Sequence, residues 1–126
     1  MVDKPERKTG IARLRAAFSY SLDGLGYAFR NEEAFRQETV LYLLLLVALY
    51  FLPLPITFKA VLFFANTLCL IVELVNTAIE AVVDLASAEY HDLAKRAKDV
   101  GSAAVLIVLI MTVVLWGVAL WSMMAG

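Results

Sequence analysis

The chain has 126 residues, 62% hydrophobic and 18% charged, with a mean hydropathy of +0.78. Soluble domains run about 45 to 50% apolar and 25% charged, so this composition excludes an ordinary soluble globular domain and leaves room for one membrane domain. Eleven Lys and Arg against twelve Asp and Glu remove the electrostatic motive for holding a nucleic acid backbone.

The amino segment, residues 1–38, carries seven of the eleven basic residues: Lys4, Arg7, Lys8, Arg13, Arg15, Arg30 and Arg36. It lacks a basic start followed at once by an apolar core, so it is expected to remain in the mature protein and not to act as a signal peptide. Ile11, Leu14, Phe18, Leu22, Leu25 and Phe29 recur at steps of three and four, which predicts an amphipathic helix lying along the membrane interface. Gly24 and Gly26, each weakening a helix by about 1 kcal/mol relative to Ala, could break it into two pieces.

NEEAFRQE (residues 31–38) then leads into TVLYLLLLVALYFLPLPITF, 20 residues from Thr39 to Phe58 without a charge. At roughly 1.5 Å per residue this covers a hydrocarbon core of about 30 Å, which predicts a first span over about 39–56. Pro53 and Pro55 end it in a short turn. A second span is expected over about 58–83, although Glu73, Asn66 and Asn76 lie in it. At about 100° per residue, Glu73, Asn76 and Glu80 project within a sector of roughly 60°, and Asn66, Cys69 and Asp84 extend that polar face. Asn66 reads as a helix–helix hydrogen bond and Cys69 as helix packing. Residues 84–99 form a charged loop in which Glu89, Asp92, Arg96 and Asp99 recur at helical steps. From Val100 onward 27 residues are uncharged, giving a third span over about 100–123, with Trp116 and Trp121 near its far end. Lys and Arg crowd the amino end and the 84–99 loop, so both are expected in the cytoplasm.

An ionisable side chain inside a bilayer costs at least about 2.5 to 3.5 kcal/mol, so Glu73 reads as functional and should face protein or water. Three polar clusters converge at the cytoplasmic depth of Glu80. Carboxylates with few other ligands suit Mg²⁺, which keeps waters and binds through one or two carboxylates plus substrate phosphates. No phosphate-binding glycine loop and no Cys or His pair at zinc spacing is present, and His91 is the single histidine, so nucleotide folds of those kinds, zinc sites and a Ser-His-Asp triad are not indicated. The residues alone lead to a metal, an anion and an intramembrane base.

ELVNTAIEAVVD (residues 73–84), followed by AEYHDLAKRAKDVGSAAV (residues 88–105) and preceded by NEEAFRQE, strongly resembles the prokaryotic diacylglycerol kinase family over nearly the whole chain from about Ile11. The resemblance implies an all-α membrane enzyme of the inner membrane, a homotrimer with shared sites, that uses ATP and Mg²⁺ to convert diacylglycerol to phosphatidic acid. It implies Glu73 as general base with Asn76 positioning the reacting groups, and Glu32 and Glu80 as metal and ATP ligands. It further implies nucleotide contacts from Arg13, Tyr20, Glu89, His91, Lys98 and Asp99. Lipid contacts would come from Arg13, Ala34, Phe35, Arg36, Gln37, Glu38, Glu73 and Ser102. GSAAV after Lys98 and Asp99 looks more like the diacylglycerol branch than the related branch that phosphorylates undecaprenol. The alternative from another class is a small proton-coupled transporter, since a carboxylate in a short multispan chain also suits proton movement.

Overall fold

The structure, a computed structural model, describes residues 2–126. Among these all regular secondary structure is helical: α1 is Gly10–Asn31, α2 Glu33–Phe51, α3 Ile56–Ala86 and α4 Asp92–Ala125. The last three are long and apolar enough to cross a membrane.

Unlike the expectation from its glycines, α1 is continuous through Gly24 and Gly26. Ending a helix strands four N–H and four C=O groups on its two sides, a larger cost than about 1 kcal/mol for each glycine. The break falls instead at Glu32, whose extended backbone (φ −112°, ψ 108°) separates α1 from α2. Arg36 reaches back across it, donating to the carbonyls of Phe29 (3.1 Å) and Arg30 (2.8 Å), where a cation at a helix C-terminus meets orphan acceptors.

Helix α2 ends at Phe51, earlier than the uncharged stretch suggests, because Leu52 precedes Pro53 and that position disfavours the helical conformation. Pro55 caps α3, and Lys59 donates to the Tyr50 carbonyl at 3.3 Å, closing the α2–α3 corner. The expected loop over 84–99 is mostly helix: α3 runs to Ala86, α4 starts at Asp92, and only 87–91 connect them. Residues 80–86 and 92–99 contain no Gly or Pro, and their Ala, Glu, Lys, Arg and Leu favour helix, so both helices extend past the apolar core of the bilayer.

Helix α4 packs along α3, α2 lies against α3, and α1 touches chiefly α2. A buried apolar cluster of Leu49, Leu54, Leu62 and Ala119 sits at the α2–α3 corner. Midway along, polar side chains stitch the helices: Trp116 Nε1 donates to Asn66 Oδ1 (2.9 Å), Cys69 Sγ meets Thr112 Oγ1 (3.1 Å), and the Tyr42 hydroxyl meets Thr67 Oγ1 (3.0 Å). Asn66 and Cys69 thus do the helix-joining work read for them. Lipid tails are as apolar as Leu, so such interhelical hydrogen bonds and close packing carry the association.

Candidate functional site

Glu73 and Asn76 are buried on the inner face of α3, 7% and 8% exposed, and Glu80 is half-buried one turn beyond Asn76. Asn76 Nδ2 donates to Glu80 Oε1 at 3.4 Å. On the facing helix Gly101 is buried, and a Cβ there would overlap Asn76 Oδ1. That glycine lets α4 approach α3 closely enough to hold the Asn76 carboxamide in place. Nothing in the sequence periodicity singles it out; only the contact does.

The negative charges of Glu80 and Glu32 fall on Glu73, and that of Glu73 falls on Glu38. Carboxylates from the α1–α2 break, from α2 and from α3 therefore lie within electrostatic reach of Glu73. Among the described residues no three His, Cys, Asp or Glu side chains are close enough to form a metal cage. Asn76 Oδ1 and Glu38 Oε2 are buried without a hydrogen-bond partner, the former lying against Gly101. Such a donor set fits a hard cation that arrives with phosphate oxygens and keeps waters, and does not fit a resident ion held by protein alone.

The remaining candidates form two further groups. Glu89, His91, Lys98 and Asp99 line one cleft of about 370 Å³ at the α3–α4 turn, together with Asp84 and Lys95. Lys98 is held by Asp84 at 2.6 Å and Asp99 by Lys95 at 2.6 Å. Glu89 lies in the turn itself, off the helical face read for it, and His91 Nδ1 accepts from the Leu93 N–H as the cap of α4. Arg13 and Tyr20 line a separate cleft on α1. Of the lipid-contact candidates, Phe35 is buried, Arg36 is occupied with the α1 carbonyls, Gln37 donates to Glu33 at 3.4 Å, and Ala34 and Ser102 are exposed.

Fold and site together define a small multi-pass helical membrane protein with carboxylates grouped around the buried Glu73. The family model described as prokaryotic diacylglycerol kinase matches residues 19–120. The Escherichia coli (strain K12) diacylglycerol kinase is 48% identical over 114 residues, 90% of this chain and 93% of that protein. The Pseudomonas aeruginosa enzyme of that name is 43% identical over 113 residues, covering 90% and 92%. That of Helicobacter pylori (strain 26695) is 42% identical, covering 90% and 88%. This chain belongs to the prokaryotic diacylglycerol kinase family. The reading as a proton-coupled transporter is thereby overturned: the relatives are kinases by name, and Glu73 lies in the stretch that the family model matches.

Proposed function

We propose that this protein transfers the terminal phosphoryl group of ATP to the free hydroxyl of diacylglycerol, giving phosphatidic acid and ADP. The observation that carries the reading is the buried Glu73, seven residues inside Glu80 and so about 10 Å deeper along α3. A lipid hydroxyl stays near the headgroup level, where Glu73 accepts its proton as the hydroxyl oxygen bonds to the γ-phosphorus. The bond from that phosphorus to the bridging oxygen breaks, and ADP leaves. Phosphoryl transfer asks mainly for in-line positioning and charge neutralisation, with a carboxylate orienting or accepting from the nucleophile. Asn76, pinned by Gly101 and Glu80, orients the reacting groups. Glu32 and Glu80 would hold Mg²⁺, which when bound neutralises phosphate charge. Glu89, His91, Lys98 and Asp99 face the nucleotide from the α3–α4 turn, Arg13 and Tyr20 from α1, and Ala34, Phe35, Arg36, Gln37, Glu38 and Ser102 border the lipid.

The chain acts as one membrane domain of the bacterial inner membrane, with α1 on the interface and the α3–α4 turn in the cytoplasm, assembled as a homotrimer. The length of α1 supports shared sites. Arg13 and Glu32 are 19 residues apart on one unbroken helix and its end, about 28 Å, so one nucleotide meets both most simply from two chains.

The test is purified protein in mixed micelles with labelled ATP, Mg²⁺ and either diacylglycerol or undecaprenol. Label should enter phosphatidic acid and should not do so without Mg²⁺. Label in undecaprenyl phosphate alone would replace the substrate, and label in neither would remove the activity.

A further inference from the structure

The segment before α1 carries a cluster that the site above leaves unused. Thr9 is extended (φ −127°, ψ 161°) and Gly10 turns with φ +61°. A Cβ at position 10 would meet no atom within 4 Å, so glycine serves there for its left-handed backbone, which costs other residues roughly 1 to 2 kcal/mol. That turn folds residues 5–9 back along α1. Between them lies a cleft of about 730 Å³ lined by Arg7, Lys8, Arg13 and Tyr20, with Glu6 as its one carboxylate. Among the described residues the ion pairs are Lys95 with Asp99 and Lys98 with Asp84, so the three cations of the cleft keep their charge for a ligand.

The side of the helix on which the cleft opens selects that ligand. Arg13, Ala16, Ala17 and Tyr20 lie roughly 180° around α1 from the apolar stripe of Ile11, Leu14, Phe18 and Leu22. With the stripe toward the bilayer, the cleft opens to water. A phosphate entering from that side belongs to a soluble molecule and not to a lipid headgroup. Arg forks and a Lys point charge suit phosphate oxygens, and a tyrosine ring offers a flat face and a hydroxyl to a base.

We infer that Arg7 and Lys8 bind the phosphates of the nucleoside triphosphate alongside Arg13. The inference rests on the kinase reading, which gives Arg13 and Tyr20 to the nucleotide. Residues 7 and 8 lie outside the stretch matched by the family model, and the nucleotide contacts named above include neither.

The experiment uses the full chain in mixed micelles, with ATP varied at saturating lipid and lipid varied at saturating ATP, beside equilibrium binding of a fluorescent ATP analogue without lipid. Replacing both residues (Arg7→Gln with Lys8→Gln) should raise the KM for ATP about tenfold and weaken the analogue by a similar factor. The lipid KM, and kcat at saturating ATP, should stay within about twofold. Gly10→Ala, which keeps both charges but disfavours the turn, should also raise the KM for ATP, whereas Lys4→Gln, outside the cleft, should not. An unchanged KM and analogue affinity in the double variant would overturn the inference, as would a change confined to the lipid KM. Absence of transfer by the unaltered protein would sink the kinase reading instead, and the analogue would still test Arg7 and Lys8.

Discussion

Glu73 and Gly101 illustrate two kinds of single-residue dependence. Glu73→Gln preserves shape and hydrogen bonding while removing the proposed base, and general base catalysis contributes about 10²- to 10⁴-fold. It should lower phosphate transfer by at least about 10²-fold while leaving assembly and nucleotide binding intact; near-normal turnover would return this carboxylate to a structural role. Gly101→Ala changes no reacting group. Its methyl would overlap Asn76 Oδ1, so either the carboxamide turns or the helices part. We expect kcat to fall about tenfold or more with the KM for ATP little changed, and overpacking to cost about 1 to 3 kcal/mol of stability. Wild-type kcat in Gly101→Ala would show that the orientation of Asn76 is dispensable. Glu73 was legible in the sequence because a carboxylate in an apolar run is conspicuous. Gly101 was not, because a glycine near a helix start has several ordinary explanations and its meaning lies in a partner 25 residues away.

Each helix owes its limits to local chemistry, while its pairing depends on a few polar atoms. The Trp116 indole can only donate, which settles that Asn66 presents its oxygen to α4. Trp116→Phe keeps the aromatic bulk and strands that oxygen between α3 and α4, where it is 4% exposed as a residue. Membrane hydrogen bonds average about 0.6 kcal/mol with a maximum near 1.7, so the loss should be about 1 kcal/mol, read as a lower denaturant midpoint in detergent unfolding. No shift would mean that packing alone joins α3 to α4 at this level. Pro53 and Pro55 set the end of α2 and the start of α3, and the end of α1 did not follow from its glycines. Glycine weakens a helix continuously, whereas proline removes a donor and clashes, so only proline reliably terminates.

For the whole molecule the proposed orientation places Lys4 in the cytoplasm and Lys59 and Gly126 on the far side. Single cysteines at these positions, in a background lacking the free Cys69, should react with an impermeant reagent from outside intact cells at 59 and 126 only. Reaction at 4 would invert the topology. The proposed sharing of sites makes a second prediction: Arg13→Gln and Glu32→Gln chains, each inactive alone, should regain part of the activity when co-assembled. A loss that stays additive at every mixing ratio would put both residues in one chain's site.

The sequence alone determined the class of the protein, three apolar spans, the proline corner and the buried carboxylate face, and its motifs led to the family. These are properties of composition, of period and of short ordered strings, and each survives without knowledge of any neighbour. Only the tertiary structure decided that Glu32 and Glu38 gather with Glu73, that Asp84 holds Lys98, that Gly101 seats Asn76, and that Gly10 folds the basic arm onto α1. Those depend on which helix faces which and how closely, and on the sign of one backbone angle. Interhelical distance and register come from packing among residues far apart in the chain, which no window of sequence contains.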